Sequence, residues 1–204
     1  MRNLALACLA LPLLAACGSE PTQPSAGGAK AGCATRAYAE IGGPISLVDE
    51  TGARVTEADF KGRHSLVYFG FTYCPDVCPM TLVKLKQAYA ELPNSVTPPR
   101  TILITVDPQR DTPEALADYI STGAFPDDIT GLTGTPDEIR AAADAFKADY
   151  SRVETPTSQA EYTMDHTNIL YLMDEDWSLK TFFTGHDQAD NIATCLADLL
   201  GSGA

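Results

Sequence analysis

The chain is short of positive charge: 14 Lys and Arg stand against 27 Asp and Glu, a formal net charge of −13 over 204 residues. That balance excludes recognition of nucleic acid or anionic lipid through a surface of clustered basic side chains. It suits a partner with a cationic docking patch, and equally it suits plain solubility. Beyond the apolar stretch at its start, the sequence lacks any run apolar enough to span a bilayer. Internal repeats are absent. Histidine is scarce, with three in the chain, and no proline follows Pro156. The hydrophobic fraction of 45% and charged fraction of 20% are ordinary for a globular domain.

The first residues read as a targeting segment. Arg2 gives a positive start, and Leu4 to Leu14 form an apolar run too short for a mature membrane helix. Leu14-Ala15-Ala16-Cys17 places small residues directly before a cysteine. This resembles a bacterial lipoprotein signal, in which lipid is attached to the sulfur before cleavage; an ordinary secretory signal is the alternative. The expected division is a signal peptide over 1–16, a lipidated tether over 17–40 and one folded domain over 41–204. The tether from Gly18 to about Gly32 is mostly Ser, Pro, Gly, Ala and Thr with one acidic and one basic residue, a composition that cannot bury enough apolar surface to order itself. The expected location is therefore the periplasmic side of a bacterial membrane, with the lipid on Cys17 as anchor.

Apolar patterning then predicts an α/β domain. Ile45–Asp49 and Ala53–Val55 flank a turn at Gly52, the signature of a hairpin. Ser65–Phe71 and Arg100–Val106 are continuous apolar runs, expected as buried parallel strands. Helices are predicted from Cys78 to Leu92, from Thr112-Pro113-Glu114, from Thr135-Pro136 to about Tyr150, and from Gln188 to Leu200. A short strand is expected over Ile129–Leu132. Thr167–Met173 and Leu179–Phe183, split by Asp174-Glu175-Asp176, predict a final hairpin. This order is that of a thioredoxin-like fold with an N-terminal β-hairpin and an insertion before the final β-hairpin.

Chemistry gathers at three places. The loop after the first buried strand reads Cys74-Pro75-Asp76-Val77-Cys78-Pro79. In open α/β folds, sites collect at the carboxyl ends of parallel strands. Two thiols four residues apart at a helix start can point to one spot, and the helix N-terminus favours thiolate. Such a pair can exchange disulfides, hold a soft metal ion such as Cu(I), or form a structural bridge. His166, in Asp165-His166-Thr167, precedes a strand expected to run antiparallel to Ser65–Phe71, which brings the imidazole beside the thiols. Thioredoxins carry a cis-proline there, and here none is available. Two thiolates and one imidazole suit both Cu(I) and Cu(II). Asp107, in Val106-Asp107-Pro108, lies at the carboxyl end of the second strand. It is a candidate to hydrogen-bond a ligand, face a partner or start a turn, and Asp111 or Thr112 is the expected helix cap. Met80 and Met164 are soft donors near by in sequence, whereas His64 and His186 read as surface residues.

Cys74-Pro75-Asp76-Val77-Cys78-Pro79, Val106-Asp107-Pro108 through Thr112-Pro113, and Asp165-His166 followed by Tyr171-Leu172 together resemble the Sco/SenC family of copper chaperones, across most of Ile45 to Leu200. The resemblance implies a thioredoxin-like fold and copper held by Cys74, Cys78 and His166. It also implies a part in building the dinuclear copper centre of cytochrome c oxidase, with the copper-site subunit as partner and other periplasmic copper carriers as further ones. An oxidase partner places the anchor in the inner membrane. A thiol-disulfide reductase that keeps the oxidase cysteines reduced is the second reading, and a peroxidase or redox sensor using Cys74 alone is a third. Cys33 and Cys195 fall outside the family pattern. A disulfide between them, clipping the start of the domain to its end, is the expectation from an oxidising compartment, and two free thiols are the alternative.

Overall fold

The computed structural model describes Cys33, residues 37–155 and residues 160–201. The expected signal peptide, Cys17 and most of the expected tether lie outside the described residues.

Two strands set the frame because every residue in them but Arg100 is buried. β3 (Ser65–Gly70) is buried at every position and pairs in parallel with β4 (Arg100–Thr105), Ser65 opposite Arg100 and Gly70 opposite Thr105. β5 (Ile129–Thr133) continues the parallel set beyond β4. On the other side β8 (Ile169–Met173) runs antiparallel to β3, and β9 (Leu179–Thr184) antiparallel to β8. The hairpin of β1 (Ser46–Asp49) and β2 (Arg54–Thr56) joins the far edge through β5, so the seven strands lie in the order β2-β1-β5-β4-β3-β8-β9. Its turn is held by Asp49, whose carboxylate accepts from the Thr51 and Ala53 amides, and by Gly52 at a φ of 86°, a conformation that costs glycine nothing.

Alternation along β3 separates two layers. Tyr68 turns to the face covered by α1 (Val77–Ala90), which packs against α4 (Ala189–Gly201). Phe69 turns to the other face, where it meets Phe146 of α3 (Pro136–Phe146) and Tyr171, with ring centroids 5.5 and 6.3 Å away. Each such side chain, wholly out of water, contributes about 1.5–3 kcal/mol. Thr112 caps α2 (Pro113–Ile120) by accepting from the Ala115 amide, with Pro113 in the first turn. The architecture is thioredoxin-like, as the element order predicts.

Two expectations need correction. α3 ends at Phe146, not near Tyr150, because Lys147 turns left-handed at φ 55° and closes the helix. The chain then forms β6 (Tyr150–Glu154), paired antiparallel with β7 (Tyr162–His166) as a separate two-stranded ribbon. The patterning missed this ribbon, since β6 is mostly exposed and carries no alternation of apolar and polar residues. Accordingly β8 begins at Ile169 rather than Thr167.

Cys33 and Cys195 are joined as a disulfide, with Cα atoms 4.7 Å apart at a sequence separation of 162. The bond ties Cys33 to the buried side of α4.

Candidate metal centre

The carboxyl ends of β3 and β4 and the end of β7 meet at one edge of the molecule. Cys74 sits in the turn after β3, its amide donating to the Phe71 carbonyl at 3.3 Å. Cys78 lies in the first turn of α1, fully buried, and its amide donates to the Cys74 sulfur at 3.3 Å. His166 is the last residue of β7, and its Nε2 stands 3.4 Å from the Cys78 sulfur. One donor atom from each of the three falls within 4.8 Å of the others.

The imidazole is held on three sides. Its ring stands edge-on to Tyr68 and Phe71, with centroids 6.0 and 5.8 Å away. Its Nδ1 lies 3.2 Å from the Thr167 carbonyl, which can only accept. That partner assigns the proton to Nδ1 and leaves the Nε2 lone pair turned toward the sulfurs, the tautomer a metal ligand requires.

The two thiols differ. The hydrogen bond from the Cys78 thiol draws the Cys74 thiol down to about 4, aided by the Cys78 and Asp76 amides and opposed by burial. Cys78 is pushed far up, because it keeps the shared proton and is buried. The arrangement is a half-exposed thiolate backed by a buried thiol. Two sulfurs and an imidazole nitrogen converge within 4.8 Å, a donor set that matches a soft ion and admits copper in either oxidation state.

Gly70 is a site residue that sequence reasoning passed over. A Cβ built there would lie 3.2 Å from the Cys78 sulfur and 3.0 Å from the Tyr68 ring. The sulfur occupies the space that any larger residue would need. A glycine closing a buried strand is the signal of such a close approach.

Asp107 is 3% exposed and does not reach the three donors. Its carboxylate accepts from the Tyr162 hydroxyl at 2.9 Å and pairs with Arg110. Asp111 is not the cap expected of it, a role Thr112 fills alone. It is wholly buried and accepts from Thr72 and Thr105. Met80 is exposed at the rim, and Met164 is half-buried against the core. His64 lies at the opposite end of the sheet, half-buried, and His186 is exposed.

A thioredoxin-like sheet with two thiols and an imidazole at its carboxyl edge defines a class of thiol and soft-metal proteins. Within it, the family model described as SCO1/SenC matches residues 34–201, and the chain belongs to that family. It is 40% identical over 160 residues to the human mitochondrial protein SCO1 homolog, a match covering 77% of this chain and 52% of that protein. It is also 40% identical over 171 residues to the protein SenC of Rhodobacter capsulatus, covering 80% and 74% of the two chains. The chain thus spans about half the length of the human relative and three quarters of the bacterial one. The crystal structure of Arabidopsis thaliana ScoI with copper bound superimposes with a TM-score of 0.74 at 34% identity, over 79% of this chain and 99% of that one.

Proposed function

We propose that this protein binds copper through Cys74, Cys78 and His166 and carries it to the copper-site subunit of cytochrome c oxidase at the periplasmic face of a bacterial inner membrane, anchored by lipid on Cys17. The convergence of the three donor atoms within 4.8 Å carries the reading. The copper-bound Arabidopsis relative supports it, and so does the resemblance of the three motifs. Bound copper is the cargo, and the residues of this chain do the rest. Cys74 offers a thiolate that is formed at any pH above the acid range. Cys78 loses its proton when an ion takes that proton's place between the sulfurs. His166 supplies a nitrogen that a larger coordination number demands, which Cu(II) needs and Cu(I) does not. Exchange of thiolate ligands with a partner then moves the ion without any change in this chain's fold.

Counting bound copper and recording the visible spectrum tests the reading. Wild type should hold one copper per chain, with sulfur-to-copper charge-transfer bands in the Cu(II) form. Stoichiometry and bands unchanged in His166→Ala and in the cysteine variants would sink it.

The asymmetry of the thiols favours a second reading, reduction of the oxidase cysteines. The Cys74 thiolate would attack a partner disulfide and release one partner thiol, and Cys78 would then attack Cys74 and release the other. This chain would be left with a Cys74–Cys78 disulfide, to be reduced again by a second dithiol protein. Loss of oxidase activity on deletion that added copper restores favours the carrier. Loss that only a thiol reductant restores favours the reductase.

A further inference from the structure

Three segments build the centre, yet only two of them carry donors. The cysteine loop follows β3, the histidine ends β7, and between them lies the loop from Val106 to Thr112, which contributes no ligand. Its side chains are unusually committed for a loop. Asp111 is completely buried with no cationic partner among the described residues, and its carboxylate bonds out of the loop, to Thr72 and to Thr105 at the end of β4. It accepts from the Thr72 amide at 3.1 Å and the Thr72 hydroxyl at 2.6 Å, two residues before Cys74. It also accepts from the Thr105 hydroxyl at 2.5 Å. Asp107 reaches the other way, accepting from the Tyr162 hydroxyl at 2.9 Å. Arg110 pairs with Asp107, lies over the Tyr162 ring at 3.7 Å and donates to the Tyr162 carbonyl at 3.1 Å. Tyr162 opens β7, the strand that His166 ends.

The loop is itself stiffened. The Asp107 amide donates to Thr105 Oγ1 at 2.9 Å, and the Arg110 and Asp111 amides both donate to the Asp107 carbonyl. Thr105 is therefore bonded to both acids at once. A buried carboxylate is stable only when its lone pairs are occupied, so each arm resists displacement.

We propose that Asp107, Arg110 and Asp111 form a two-armed bracket that sets the separation between the cysteine loop and His166, making them positioning residues for the third ligand. The proposal rests on the copper reading above. The ribbon of β6 and β7 is a two-stranded element, which on its own is marginal. Tyr68 and Phe71 pack against the His166 ring at one end of β7, and the Asp107–Arg110 arm ties the other end, Tyr162, to the loop after β4. Two thiolates four residues apart on one segment need no such device. The bracket therefore governs Cu(II), which uses the histidine, and leaves Cu(I) almost untouched.

The test uses Tyr162→Phe, which removes one hydroxyl from the histidine arm, and Thr72→Val, which removes one from the cysteine arm; Thr72→Ser keeps that hydroxyl. In both disrupting variants Cu(II) affinity should fall about ten- to a hundredfold, the range for residues that orient ligands, with a shifted charge-transfer band. Cu(I) affinity should stay at the wild-type value, and Thr72→Ser should restore Cu(II) binding. In metal-free protein the His166 ring resonances should shift in Tyr162→Phe. An equal fall for Cu(I) and Cu(II), or unchanged Cu(II) affinity with unchanged ring resonances, overturns the bracket. His166→Ala, run alongside, separates the two failures. If it leaves Cu(II) binding intact, the ligand assignment is wrong and the bracket falls with it. If it abolishes Cu(II) binding while the bracket variants do not, the bracket alone is wrong.

Discussion

The two ends of the central sheet each present a histidine beside a cavity, and they behave differently. At the amino end, His64 borders a space of about 640 Å³ lined by Arg63, Asp174, Glu175, Asp176 and Lys180. At the carboxyl end, the space beside His166 is about 210 Å³. The larger cavity has charges of both signs and no thiol, and its histidine stands 3.9 Å from an exposed glutamate. The smaller one is lined by no cysteine, but its histidine has two sulfurs among the donor atoms gathered within 4.8 Å, that of Cys78 at 3.4 Å. Volume does not mark the functional end of this molecule; convergence of donors does.

The comparison breaks most completely at the sulfurs. Cys74→Ser and Cys78→Ser should each abolish the charge-transfer bands and reduce bound copper below one per chain, read by metal analysis, while leaving the amino end unaltered. Next in size is the disulfide, which belongs to neither end. Cys33→Ser or Cys195→Ser should destabilise the fold by about 4–5 kcal/mol in the chain-entropy account of so long a loop, read from denaturant midpoints, with copper stoichiometry unchanged. A change in stoichiometry would show that the clip shapes the site.

The histidines should then separate sharply. His166→Ala should weaken Cu(II) binding by about a hundredfold or more and Cu(I) binding far less, whereas His64→Ala should change neither; titration with each ion reads both. The smallest effect is on stability. Burial, with Lys180 adding to it, lowers the pKa of His64 in the fold. The unfolded chain then binds the proton more readily, so this group's contribution is fully present above about 6.5 and is lost as pH falls through the folded value. A His64→Gln variant should lose less stability than wild type between pH 7 and 5. An identical loss would mean that His64 does not contribute.

The same contrast explains what the sequence made legible. β3 and β4 announce themselves as continuous apolar runs, because a strand buried on both faces has no polar side. The three candidate ligands are legible because Cys74 and Cys78 sit at a strand end and His166 stands before a strand that must return beside it. β6 escapes notice because it is exposed at four of its five positions and leaves no periodic trace, although Tyr150 and Val153 are strand formers, and without it β7 has no evident partner strand. Gly70 and the Asp111 network depend on contacts across 8 to 39 residues, and no local pattern encodes such a distance.

The bond between Cys33 and Cys195 also determines how the domain carries load. Tension arriving along the segment that precedes Cys33 enters the fold at that residue and passes straight through sulfur to α4. α4 lies against α1, the helix whose first turn holds Cys78. The β1–β2 hairpin, only four and three residues long in its two strands and sitting at the edge of the sheet, lies beyond Cys33 along the chain, outside that route. A pull applied at Cys33 would therefore reach the packed pair of helices without first passing along the chain that leads to β1.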